Sequence, residues 1–282
     1  MGREKKVWYV TGASKGLGLY LVKQLLAEGY NVAATSRNKE DLENELGTGC
    51  ASFLPLVVDI RDENSVKQSV EAAVEHFGTI DTVVNNAGYG LIGSLEELSD
   101  EESRANFEVN VFGMLNVIRN TMPYLRKQGS GHIINISSTH GFSGGIPGFG
   151  VFCATKFAVV GLSESLSAEV RDFGVNVTVA LPGHFRTNFL SAGSLGVPEN
   201  QIPEYAEVRA SQKAHQERIN GNQPGDPEKA VAALIAISTM ESPPLTLFLG
   251  KDAYDAADKR MLSIQNEMDR CEELAMATEF AQ

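Results

Sequence analysis

A chain of 282 residues with 43% hydrophobic content is near the upper size for one hydrophobic core and far too apolar to be disordered. Its formal charge of -12 argues against nucleic acid or an anionic membrane as a partner, while a local basic pocket could still hold a phosphate. Cys50, Cys153 and Cys271 are odd in number and lack C-x-x-C spacing, so each reads as a reduced thiol that fills space.

Met1 to Lys6 is charged and no apolar run with a cleavage site follows it; no run is expected to reach membrane-spanning length. Both points make a cytoplasmic protein the expectation. No linker interrupts residues 1–282, which are expected to form a single domain.

Lys5 to Gly18, KKVWYVTGASKGLG, reads as strand, phosphate loop and helix. Gly12, Gly16 and Gly18 stand where the backbone turns tightly, approaches a ligand and packs a helix against a strand. Ser14, Lys15 and Leu17 fall between them, and the free amides at the helix start suit a pyrophosphate. The second strand, Tyr30 to Thr35, exits through Ser36-Arg37-Asn38 with no acidic residue to accept from a ribose 2′-OH. Arg37 and Lys15 would instead meet a 2′-phosphate, which favours NADP(H) over NAD(H).

Ser52 to Asp59 is the third strand, with Asp59 and Ile60 at its exit beside an adenine; Glu63 to Phe77 is the helix after it. Strand Ile80 to Asn85 ends in NNAG, where Asn86, Ala87 and Gly88 suit backbone capping or a ligand. Ser99 to Leu125 reads as one long helix. Within it Asn110 lies among apolar neighbours and needs partners, as a satisfied core amide would have.

His132 to Ser137 is the fifth strand, with Ser137, Ser138, Thr139 and His140 crowding its end. In the helix Val151 to Phe173, Phe152 and Lys156 are four apart and share one face. That helix is apolar on more than one stripe, so a homodimer or homotetramer packed through it and the helix before it is expected. Strand Gly174 to Leu181 ends in Pro182-Gly183. Residues 184–221 are weakly periodic and long for a connection, as substrate lids are. Phe185, Phe189, Leu190, Leu195 and Val197 in that lid hint at an apolar or amphipathic substrate. A helix Pro227 to Thr239, a strand Leu245 to Leu249 and a polar helical tail from Tyr254 complete the chain. The repeated strand-helix alternation dictates a Rossmann-like α/β fold, a doubly wound parallel sheet of about seven strands with helices on both faces and its ligand at the carboxyl edge.

With TGASKGLG at Thr11 to Gly18, NNAG at Asn85 to Gly88, Asn110, NISS at Asn135 to Ser138, and Pro182-Gly183 with Thr187 in this order, the chain resembles the short-chain dehydrogenase/reductase family up to about Gly250. The resemblance implies NAD(P)-dependent hydride transfer between an alcohol and a ketone or aldehyde. It implies that Asn110 holds a water chain to Lys156, that Ser138 bonds the substrate oxygen, and that Lys156 binds the nicotinamide ribose. Thr187 would meet the carboxamide and Asp59 the adenine. The family's Y-x-x-x-K is here Phe152-Cys153-Ala154-Thr155-Lys156, so the proton donor is missing and strongly reduced activity is expected. The surrounding FCATKFAVVGLSESL otherwise follows the family, which points to a Tyr→Phe substitution. Ser138 is one residue further from position 152 than in many relatives, which leaves Ser137 and Thr139 open. Tyr89, Tyr205 and His184 are candidates to stand in as the acid, and none is expected on the helix face beside Lys156. A nonenzymatic NADP(H)-binding sensor or scaffold of the same fold is the alternative. No P-loop spacing points to phosphoryl transfer, and the five histidines show no metal-ligand spacing.

Overall fold

The computed structural model describes residues 6–191 and 193–280; Lys5, where the first apolar run opens, and Ala192 in the lid lie outside it. Strand β1 (Val7–Val10) leads through the glycine loop into α1 (Gly16–Ala27), which buries Leu21, Val22 and Leu25. Next come β2 (Asn31–Ser36) and α2 (Lys39–Leu46), whose first turn is capped by the Asn38 side chain. Only Leu42 of α2 is buried, so this helix leaves no period in the sequence and went unforeseen. Then follow β3 (Phe53–Val57), α3 (Glu63–Phe77), which ends at Gly78 with a φ of 83°, and β4 (Thr82–Asn85).

After the short β5 (Gly90–Leu91), the expected single helix is interrupted: α4 (Asp100–Phe107), one π-helical turn (Glu108–Phe112) and α5 (Gly113–Gln128). Asn110 sits in that widened turn and reaches across to the Tyr89 backbone, which offers it both a donor and an acceptor. The remaining elements are β6 (Gly131–Ile136), α6 (Gly150–Val170), β7 (Val175–Pro182), β8 (Leu195–Gly196), α7 (Ala206–Lys213), α8 (Pro227–Ile237), β9 (Thr246–Leu249) and α9 (Lys251–Met276).

Seven strands form one parallel sheet in the order β3-β2-β1-β4-β6-β7-β9. The order reverses between β1 and β4, and there the connections leave on opposite faces and open a crevice at the carboxyl edge. One apolar layer joins the sheet to α3, α5 and α6 through Val70, Ile118 and Val159; the other joins it to α1 and α8 through Leu25 and Leu234. Both faces are covered, so the strands read as unbroken apolar runs.

Polar side chains also cross the sheet. Asn85 of β4 and Asn135 of β6 are cross-strand partners; Asn85 Nδ2 donates to Asn135 Oδ1 at 2.8 Å, and Asn135 Nδ2 donates to Ser163 Oγ of α6 at 2.9 Å.

Two expectations need correction. Gly150–Phe173 is long and apolar enough to cross a membrane by length and composition, although it packs on β7 and carries the buried Phe152 and Lys156. Of the cysteines only Cys153 is buried; Cys50 and Cys271 are exposed and fill no space.

Candidate active site

The carboxyl ends of β1, β2, β4, β6 and β7 open on one cleft of about 620 Å³. Its phosphate end is shaped by missing side chains. Gly12 has a φ of 65°, and a Cβ there would lie 2.7 Å from Ala87 Cα. A Cβ on Gly18 would lie 2.4 Å from Gly12 O, so this glycine lets α1 approach the loop without itself lining the cleft. Asn86 and Ala87 brace the loop from β4: Asn86 Nδ2 donates to Thr11 O and Gly12 O, and both backbone amides donate to Thr11 Oγ1. No side chain caps the first turn of α1, where Ser14, Lys15, Gly16 and Leu17 border the cleft. This cradle of glycine and backbone amide fits a pyrophosphate.

Ser36, Arg37, Asp59, Ile60 and Gly88 continue the wall from the neighbouring strand ends. Lys15 and Arg37 share one cationic corner. Burial, and then the Arg37 charge, hold the Lys15 ammonium below its ordinary value, while Asp41 acts the other way. Lys15 Nζ donates to Gly193 O of the lid at 2.9 Å. Asp59 pairs with Arg61 at 2.6 Å, and that bond holds its carboxyl below the usual carboxylate range.

At the other end lie Ser138, Phe152, Lys156, Pro182, Gly183 and Thr187. Phe152 is buried against Phe149, Phe189 and His140, with Lys156 Nζ 5.7 Å from its ring centre. Lys156 Nζ donates to Ile136 O at 2.9 Å, and burial pulls its ammonium down to about 8. Of the three hydroxyls left open by the sequence, Ser137 donates to Lys156 O and Thr139 to Pro182 O. Ser138 Oγ lies 3.2 Å from His140 Nδ1 and keeps the freest hydroxyl. Asn110 lies outside the cleft lining; its amide bonds Tyr89, Asn106 and Thr155, as a core amide would.

The lid is more structured than its sequence suggests. It contains β8, which pairs with β5, and α7, whose Arg209 meets the buried Glu97 at 2.7 Å. Phe185, Phe189 and Leu190 line the cleft; Leu195 packs behind them, and Val197 faces outward and plays no part in the lining. Tyr89 lines the cleft, whereas Tyr205 is held away from it by a bond to Glu96.

His140 and His184, both singled out in the sequence, also line the cleft, as do His215, Gln223 and Asp252. Ring centres are 6.5 Å apart for His140 and His184, and 6.1 Å for His184 and His215. His184 Nδ1 pairs with Asp252 of α9 at 3.0 Å, so the first turn of the C-terminal helix reaches the site. Among the described residues, no group of three or more His, Cys, Asp or Glu side chains is placed to hold a metal.

Comparison with known proteins gives a consistent result. A family model described as short chain dehydrogenase matches residues 6–194. Oxidoreductase BOA17 of Botryotinia fuckeliana is 35% identical over 274 residues, covering 97% of this chain and 99% of that protein. A 3-ketodihydrosphingosine reductase of Bacteroides thetaiotaomicron is 34% identical over 249 residues, 88% of each. Among solved structures, a short-chain dehydrogenase from Streptomyces avermitilis superposes with a TM-score of 0.90 at 35% identity, covering 99% of this chain and 100% of that one. A short chain dehydrogenase from Burkholderia cenocepacia J2315 in complex with NADP gives 0.72 at 28%, covering 95% and 97%. The sheet, the glycine cradle at its switch point and these matches agree: the chain belongs to the short chain dehydrogenase family of oxidoreductases.

Proposed function

We propose that this chain has the site of an NADP(H)-dependent reductase of ketones or aldehydes in which the proton donor is lost at Phe152. The observation that carries the reading is the buried Phe152 ring, on the helix face shared with Lys156 and in the cleft lined by Ser138. When bound, the cofactor supplies the hydride. Lys15 and Arg37 favour a 2′-phosphate, since two cations that raise each other's energy are relieved by a dianion. Gly12, Ser14, Gly16 and Leu17 would hold the pyrophosphate, Asp59 and Ile60 the adenine side, and Thr187 with Lys156 the nicotinamide side.

Ser138 is placed to donate its hydroxyl to the substrate oxygen if His140 Nδ1–H donates to Ser138 Oγ in turn. Lys156, held close to its ionisation midpoint at neutral to alkaline pH, is placed to tune an acid on the face it shares with residue 152. Phenylalanine has no proton to give. Loss of general acid catalysis costs about 10² to 10⁴-fold in rate, so the chain as written would turn over slowly while binding cofactor well. Phe112, Phe157 and Leu95 remain exposed, which supports self-association through α6 and the helix before it.

Measuring NADPH oxidation by the chain and by Phe152→Tyr against ketones and aldehydes tests the reading. A tyrosine variant that binds NADPH yet reduces none of them would leave a nonenzymatic NADP(H)-binding protein in its place.

A further inference from the structure

Two buried polar side chains in the cleft have atoms without a hydrogen-bond partner. Among the described residues His140 Nε2 has none, and neither Nε2 nor Oε1 of Gln223 has one, although Gln223 is only 1% exposed. Leaving such atoms unpaired costs about 1 to 3 kcal/mol each, so buried polar groups of this kind are normally satisfied by something. Both residues line the cleft, and His140 lies against Ser138 and Phe152. Gln223 lies two residues before Gly225, whose amide donates to His184 O, and its own carbonyl receives the Arg186 guanidinium. Its backbone is therefore fixed while its amide is free.

The two remaining imidazoles sharpen the chemistry. His184 Nδ1 is bonded to the Asp252 carboxylate and His215 Nδ1 to Ser211 O, both pure acceptors, so each ring donates from Nδ1. The Nε2 of His215 is left with a lone pair. Burial pushes the His140 ring down to about 4 and lowers His215 as well, which keeps both uncharged at neutral pH. The substrate end of the cleft therefore offers neutral acceptors from the imidazoles and one paired donor and acceptor from the amide. The cation at this end, Lys156, donates to Ile136 O beside the Phe152 ring. A hydroxyl can donate to one imidazole Nε2 and accept from the Gln223 amide. Phe149, Phe152 and Phe189 supply the apolar wall around it.

We infer that His140 and Gln223, with His184 and His215 beside them, form a hydrogen-bonding subsite that selects carbonyl substrates carrying a hydroxyl close to the carbonyl, a hydroxyketone with an apolar remainder. The inference rests on the reductase reading for the word substrate, but the subsite can be tested by binding alone, because Phe152 slows turnover.

The test is isothermal titration of the NADPH complex of the chain as written with 2-hydroxy-1-phenylethanone and with 1-phenylethanone, which lacks the hydroxyl. The hydroxyketone should bind at least about tenfold tighter, the effect of one to two net hydrogen bonds. Gln223→Leu and His140→Leu should each remove most of that preference while leaving NADPH affinity as it was. Because the Gln223 amide has no partner among the described residues, Gln223→Leu should hold or raise Tm, which separates lost recognition from lost folding. Equal binding of the two ketones, no binding of either at millimolar concentration, or a preference that survives both substitutions would overturn the subsite. The same pair of ketones is then given to Phe152→Tyr, where the hydroxyl should lower KM more than it raises kcat. An inactive Phe152→Tyr with the binding preference intact removes the reductase reading and keeps the subsite; an active Phe152→Tyr indifferent to the hydroxyl does the reverse.

Discussion

Adding an oxygen at position 152 is the most direct perturbation of the site. Phe152→Tyr adds one atom to a ring that is 3% exposed, in a helix turn whose next turn carries Lys156. At the 5.7 Å that separates Lys156 Nζ from the ring centre, a phenolate would gain about 3 kcal/mol at an effective dielectric of about 20, or about two pKa units of stabilisation. Burial opposes this, as it does at Tyr9, whose phenol it pushes up. Attraction should win at position 152 because the new oxygen faces an open cleft and a cation, whereas Tyr9 is sealed in the core with Ser69. Lys156 itself titrates near 8, so tyrosine and lysine would ionise as a coupled pair rather than singly. The expected result is a gain in kcat of about 10² to 10⁴-fold, or about 3 to 5.5 kcal/mol of barrier, and a pH profile of kcat/KM with an apparent pKa well below 10. Initial rates of NADPH oxidation from pH 6 to 10, with fluorescence titration of NADPH, check both. Unchanged rates with intact NADPH binding would refute the reasoning, as would a gain whose apparent pKa sits at or above that of a free phenol.

Three further outcomes are expected. NADPH should bind more tightly than NADH, and Arg37→Ala should close most of the gap, since a charged hydrogen bond is worth about 1.5 to 3 kcal/mol; equal affinities in the unmodified chain, by fluorescence titration, would contradict this. Light scattering at micromolar concentration should find a dimer or tetramer, and Phe157→Asp, at a residue 44% exposed on α6, should shift it toward monomer. Acidification should unfold the protein early. The buried rings of His132 and His140 are held at about 4 against an ordinary 6.5, so below pH 6.5 the unfolded chain takes up protons that the folded one refuses. Stability therefore rises with pH across that window, and from pH 6.5 to pH 5 each ring removes about 2 kcal/mol at 1.36 per unit. Urea midpoints at pH 7 and pH 5 that coincide would show that the rings are protonated in the fold.

The parallel sheet was legible because its strands are apolar throughout and punctuated by helices with buried faces, and the phosphate end because glycine, asparagine and strand end fall within a few residues of one another. Phe152 and Lys156 were legible from a spacing of four. α2 was not, since one buried leucine makes no period, and the π turn at Asn110 was not, since it depends on the Tyr89 backbone. The histidine end was invisible for a different reason. His140, His184, His215, Gln223 and Asp252 lie on five separate segments, and only the fold brings them to one wall.

The amides that link β4, β6 and α6 have a consequence for how the sheet finds its alignment. Asn85 and Asn135 face each other across neighbouring strands, and each is closed off from water. Valine against isoleucine tolerates a slide of two residues with little complaint, because one greasy neighbour resembles another. The paired amides do not: any slide strands both, at about 1 to 3 kcal/mol apiece, and takes Asn135 away from Ser163. Since Asn86, Gly88 and Ser138 follow these strands within three residues, the two asparagines act as an index mark, fixing how far each strand end projects and therefore how far apart the phosphate cradle and the reacting end of the cleft are held.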